Sequence, residues 1–151
     1  MKRLDGICII TRDVPRLRAF YREVLQIEPT GENDLATFAT PGADLSLFSE
    51  QGMEPLAPGS MQGAGHGGYT LDFQVEDVDA EYERLARLNV PFVKPPTTHP
   101  WGRRSMWFRD PDGNLINFYA NTTGSRSAQA RVREYFRRLL NGKRTASALR
   151  R

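Results

Sequence analysis

Three stretches of this chain alternate hydrogen-bonding or aromatic side chains with apolar ones. Thr70, Asp72 and Gln74 share one parity, as do Ser105 with Trp107 and Asn117 with Tyr119. Gly6, Cys8 and Ile10 form a fourth set, and Ser46 lies in a similar run. Successive strand residues face opposite sides, so each set lines one face. The opposite parity (Ile7, Ile9, Leu71, Phe73, Val75, Ile116, Phe118) is uniformly apolar and suits burial beneath helices. Aromatic planes mixed with a few polar groups make a small-molecule site. Asp72 is the one carboxylate among them. It would attract a cationic or amine-bearing ligand, or pair with a nearby Arg, since an unpaired buried carboxylate is costly. As a weak catalytic candidate it could be a general base, given a raised pKa and a substrate proton within reach. Trp107 and Tyr119 either stack on a ligand or cap the core. Gln74, Ser46, Ser105 and Asn117 orient a ligand or bond one another, and Arg103 and Arg104 flank them, one within reach of a ligand anion. Cys8 has no identifiable neighbouring base and reads as a small buried filler rather than a nucleophile.

Metal chemistry has few candidates. His66 and His99 are the only histidines, both in Gly- or Pro-rich loops. With Asp72 they would form a site only if both loops converged on it.

The elements that position these residues occur twice. Ile7–Val14 is an apolar strand leading to an Asp-Val turn, and Leu71–Val78 repeats it 64 residues later. Each copy runs into an amphipathic helix, one through Phe20-Tyr21 and one through Tyr82 and Leu85. The ends of the copies also match, Gly42–Phe48 with Gly113–Tyr119. Strands are expected at 6–11, 35–39, 44–48, 70–75, near Phe92-Val93, at 103–108 and at 115–120. Helices are expected from Val14 to Leu25 and from Val78 to Leu88. Residues 49–68, rich in Gly, Pro and Met, read as a long loop joining the modules, and 95–100 as a Pro-rich loop. Asp110-Pro111-Asp112-Gly113-Asn114 is a turn sequence. The fold class is α+β. Module boundaries fall at 1–50 and 69–121, with a linker at 51–68 and a basic tail at 122–151.

The tail holds Val132, Tyr135, Phe136, Leu139 and Leu140 at helical spacing, so an amphipathic C-terminal helix is expected over 127–141. From Gly124 onward nine Lys/Arg face only Glu134, a net of +8 against +3 for the whole chain, so the body is acidic at −5. The high pI of about 9.3 therefore says nothing about the ligand of the body. The apolar stripe favours docking on the body or a second subunit over nucleic-acid contact. The lone cysteine gives no disulfide, and no stretch approaches the ~20 apolar residues of a membrane span. A cytoplasmic protein is expected.

The Asp-Val turns before a helix with Phe20-Tyr21, Trp101-Gly102, and Phe108–Ile116 (FRDPDGNLI) together resemble the vicinal oxygen chelate superfamily. That group holds glyoxalase I, extradiol dioxygenases, fosfomycin-resistance enzymes and bleomycin-resistance proteins. The resemblance covers residues 4–120. It implies paired βαβββ modules forming a half-barrel cup, a homodimer, and a site lined by the polar parity. In metal-dependent members, first strands supply His or Gln and last strands Glu. The positions that match by spacing are Gly6, Thr70, Ser46 and Asn117, none of which is an imidazole or carboxylate. The resemblance thus implies a vacant metal site and no cofactor. The reading is a metal-free protein sequestering an aromatic or amine-bearing small organic ligand through Cys8, Ser46, Thr70, Asp72, Gln74, Ser105, Trp107, Asn117 and Tyr119. The alternative is a lyase, isomerase or dioxygenase with a relocated metal, or with Asp72 as base.

Overall fold

The computed structural model describes residues 5–64, 68–100, 102–122 and 137. His66, Trp101 and, apart from Arg137, the expected tail helix lie outside them. The chain divides into two units, Met1–Tyr69 with Arg109–Leu115, and Thr70–Phe108 with Ile116–Arg151.

In the first unit, β1 (Gly6–Thr11) leads into α1 (Val14–Leu25), followed by β2 (Thr30–Glu32), β3 (Leu35–Phe38), β4 (Asp44–Ser49) and α2 (Glu50–Leu56). Asp13 caps α1 by accepting from the Arg16 amide at 3.0 Å, and Pro15 occupies the first turn, where its missing N–H is harmless. Val14, Leu17, Tyr21 and Val24 form its buried stripe. The sheet order is β1-β4-β3-β2, with β1 parallel to β4 (Cys8 opposite Ser46) and the other pairs antiparallel. Ile9, Ala36, Phe38, Leu45 and Leu47 supply the sheet side of the core. Ile7, expected inside, is 38% exposed, because β1 is an edge strand and Ile7 lies near its start.

Two elements of this unit depart from expectation. Residues 50–56 are helical rather than loop, because Ser49 accepts from the Gly52 amide at 2.9 Å and Glu50 stands in the first turn. β2 has three residues, all exposed, and so carries no periodic apolar signal.

The second unit repeats the plan with β5 (Thr70–Gln74), α3 (Val78–Arg87), β6 (Phe92–His99), β7 (Arg103–Arg109) and β8 (Leu115–Asn121), in the order β5-β8-β7-β6. Asp77 caps α3 through the Asp79 and Ala80 amides. Leu71, Val78, Leu85, Met106, Phe108, Ile116 and Phe118 are buried. Edge-to-face contacts link Phe73, Phe118, Phe108 and Phe92, with centroids 5.8, 5.1 and 6.3 Å apart. β6 corrects the expected short strand and loop. Register shifts between Phe92 and Lys94 and between Lys94 and Thr97 let the strand pass Pro95-Pro96 and continue to His99. An edge strand tolerates this, since its outward N–H groups need no partner in the sheet. Both sheets are mixed and four-stranded, and the fold is α+β. Among the described residues no helix is long and apolar enough to cross a membrane.

The turn at 109–115 belongs with the first unit. Asp110 is 3% exposed. Its carboxylate accepts from the Asp112 and Asn114 amides, from Asn114 Nδ2, and from the Tyr21 hydroxyl at 2.8 Å. Thr11 donates to Asp112 at 2.6 Å, and Arg16 to the Pro111 carbonyl. Burial and the adjacent Asp110 charge push the Tyr21 hydroxyl far above its ordinary pKa, so it remains a donor. Removing the acceptor strands several buried donors. Asp110→Ala is therefore expected to lower the unfolding free energy by about 3 kcal/mol and Tyr21→Phe by about 1–2 kcal/mol. The double variant should cost less than both singles together, read from urea midpoints.

Candidate functional site

Most of the sequence-predicted site residues fall on one face of the second sheet. The side-chain partners fix the parity. Arg104 turns to the helix side, where it pairs with Asp79 in the first turn of α3 at 2.6 Å. Its guanidinium holds the Asp79 carboxyl below the usual range. Arg104 is thereby committed to α3 and does not flank the site. Arg103, Ser105 and Trp107 occupy the opposite face, as do Thr70, Asp72 and Gln74 from β5 and Asn117 and Tyr119 from β8.

Three interactions organise this face. Asn117, 7% exposed, donates its Nδ2 to Asp72 Oδ1 at 3.1 Å. Asp72 itself is exposed and has an amide rather than a cation as its partner. Arg103 lies over the Tyr119 ring, its Cζ 4.1 Å from the centroid. Trp107 carries Lys94 Nζ at 5.3 Å and meets the His99 ring edge-to-face, with centroids 5.5 Å apart. A ligand approaching either aromatic ring therefore meets cations as well as π surface. Ser105 is 2% exposed, and its hydroxyl is hydrogen-bonded to His99 Nε2 at 2.9 Å. Burial and then the Lys94 charge lower the His99 pKa, keeping the imidazole neutral at neutral pH.

The hydrogen-bond inventory of this face is incomplete. Among the described residues, Arg103 Nε, Asn117 Oδ1 and Asn121 Oδ1 are buried without a partner. Residues 117, 119 and 121 alternate onto one side of β8, and Arg103 stacks on the middle one. Each unmade bond costs on the order of 1–3 kcal/mol. Such orphans are uncommon in native folds and mark places where a further polar partner belongs.

The remaining sequence candidates belong to the first unit. Cys8 and Ser46 are register partners on β1 and β4. The Ser46 hydroxyl is engaged by Thr37 Oγ1 at 3.0 Å. Cys8 is exposed on its edge strand rather than the buried filler expected, and partial burial of the thiol raises its pKa, which leaves it a poor nucleophile.

The metal-ligand positions implied by the family resemblance do not fit a divalent cation. Gly6 offers no side chain, and a Cβ there would press on the Asp44 carbonyl at 3.1 Å. The hydroxyls of Ser46 and Thr70 and the amide oxygen of Asn117 are neutral, weak ligands for such an ion, and Ser46 is already engaged by Thr37. Among the described residues no group of three or more His, Cys, Asp and Glu stands within reach of one ion.

Sequence reasoning set Arg103 beside the site without its stacking on Tyr119, considered His99 only as a metal ligand, and missed Lys94. A signal did exist for Arg103, which shares the parity of Ser105 and Trp107. Lys94 and His99 were hidden because the bulges in β6 break the two-residue period.

Residues 3–118 match the family model described as "Glyoxalase/Bleomycin resistance protein/Dioxygenase superfamily". The uncharacterized protein YraH of Bacillus subtilis (strain 168) is 30% identical over 124 residues, 78% of this chain and 97% of that one. A solved superfamily member from Sphaerobacter thermophilus DSM 20745 is 26% identical, with a TM-score of 0.64 over 80% of this chain and 98% of that one. A family enzyme from Burkholderia phytofirmans PsJN shares the fold, with a TM-score of 0.71 at 17% identity over 80% and 99% of the two chains. With its paired modules and a match across most of its length, the chain belongs to the glyoxalase/bleomycin resistance protein/dioxygenase superfamily.

Proposed function

We propose that the protein is a metal-independent small-molecule-binding protein that sequesters an aromatic or amine-bearing ligand on the open face of its second sheet. One observation carries this reading. Asp72 is an exposed carboxylate, steered by the Asn117 amide, on a face that also presents Trp107 and Tyr119. An ammonium group would supply Asp72 with a charge-assisted bond while the organic body lies against the aromatic residues. Thr70 and Gln74, exposed on the same strand, extend the polar rim. The poor donor set at the family's metal positions supports binding without a cation. We place the protein in the cytoplasm as a homodimer, with exposed apolar side chains such as Val93 (52% exposed) available for association.

A second reading, an enzyme of the lyase, isomerase or dioxygenase kind, is favoured by the His99–Ser105 pair. A neutral imidazole bonded to a hydroxyl beside a cation-bearing aromatic face has the make-up of a general base. Turnover of a bound ligand that persists with a chelator, and falls at least ~100-fold in His99→Gln, would establish it.

Benzylamine is a suitable probe for the binding reading. Chelator-treated protein is expected to bind it, with at least ~10-fold weaker affinity in Asp72→Asn by calorimetry, equivalent to about 1.4 kcal/mol. Equal affinity in the two proteins rejects the role of Asp72. His99 sets a pH dependence of definite sign. Its folded-state pKa lies below the ordinary value, so its contribution is complete above about pH 6.5 and is lost as pH falls below that. His99→Gln is expected to flatten the fall in stability on the acid side, read from unfolding midpoints between pH 7 and pH 5.

A further inference from the structure

The charges on the open face of the second sheet are unpaired in a complementary way. Arg104 and Arg84 each have a carboxylate partner, Asp79 and Glu81. Among the described residues Arg103 has none: its guanidinium is held over Tyr119, and its Nε is buried and unbonded. A half-buried arginine without an anion is an anion-receptor group, since its planar fork is preorganised for a carboxylate or phosphate. Asp72 is the converse, a carboxylate whose one partner among the described residues is an amide.

These two groups do not serve each other. Asp72 belongs to β5 and Arg103 to β7, with β8 between them. Two strand spacings put about 10 Å between their backbones across the sheet. The β8 residues in the gap, Asn117 and Tyr119, each engage one of the pair. The unpartnered Asn117 Oδ1 and Arg103 Nε, one acceptor and one donor, lie on the same stripe. Small side-chain rotations would offer both to a ligand bridging the two charges.

The geometry points to a zwitterion as the ligand: its cationic nitrogen on Asp72 and Asn117, its acid group on Arg103, and its body along Tyr119. This rests on the binding reading above and deepens it, because an amine alone would leave Arg103 unused. The class is an amino acid or amino-acid-like molecule whose ammonium and carboxylate are separated enough to span β8.

Three probes separate the two ideas: 4-(aminomethyl)benzoate carries both charges, benzylamine only the cation and benzoate only the anion. Binding is measured on the full chain by calorimetry or amide chemical-shift titration, for the native protein and for Asp72→Asn, Arg103→Gln and Arg103→Lys. The zwitterion is expected to bind at least ~10-fold more tightly than either single-charge probe, about 1.4 kcal/mol. Within Arg103→Gln the zwitterion should bind no more tightly than benzylamine does to the same variant, and Arg103→Lys should retain part of the gain. Unfolding midpoints of the variants confirm that they fold; if Arg103→Gln does not, Arg103→Lys alone decides by the size of its loss. Benzylamine binding that depends on Asp72, with no gain for the zwitterion, overturns the zwitterion assignment and leaves the amine reading standing. Failure of all three probes overturns both.

Discussion

Tyr21 is fully buried on the inner stripe of α1, and a phenol there must place its hydroxyl on an acceptor. It donates to Asp110, 89 residues away in sequence, and Asp110 in turn gathers two backbone amides and the Asn114 side chain. A carboxylate this buried is tolerable because four donors converge on it. The bond therefore does two things at once. It discharges the polar end of the largest fully buried side chain, and it sets the shape of the Asp110–Asn114 turn from which β8 departs. The face that carries Asn117 and Tyr119 starts from that turn.

The contrast between Asp110 and Asp72 shows how environment separates two identical side chains. Asp110 is saturated with donors and closed to solvent, so it has nothing left to offer a ligand. Asp72 has one amide donor and faces outward. The arginines divide in the same way: Arg104 is consumed by Asp79 at the start of α3, while Arg103 rests on an aromatic ring. In each pair the side chain is the same, and the partner decides which group remains for recognition.

Local signals made much of this readable from residue order. Asp13 and Asp77 are helix caps with the expected spacing, and strand parity correctly sorted Leu71 and Phe118 from Asp72 and Asn117. What escaped was non-local or aperiodic. The Tyr21–Asp110 bond joins segments whose proximity no short-range pattern encodes. α2 depends on one cap, Ser49, followed by a poor helical sequence with Gly52 and Pro55. β6 looked like a loop because Pro95 and Pro96 normally end strands, and its shifted register concealed where Lys94 and His99 point. The stacking of Arg103 on Tyr119 is a matter of rotamer, which spacing does not specify.

Those prolines have another outcome. An uncovered outermost strand is a template on which foreign backbone can add, and it is the usual starting point of aggregation. Pro95 and Pro96 remove two amide hydrogens from β6, and the two register breaks bend its outer rim away from flatness. The second sheet is thereby guarded against polymeric growth along that border, the one nearest Lys94 and His99.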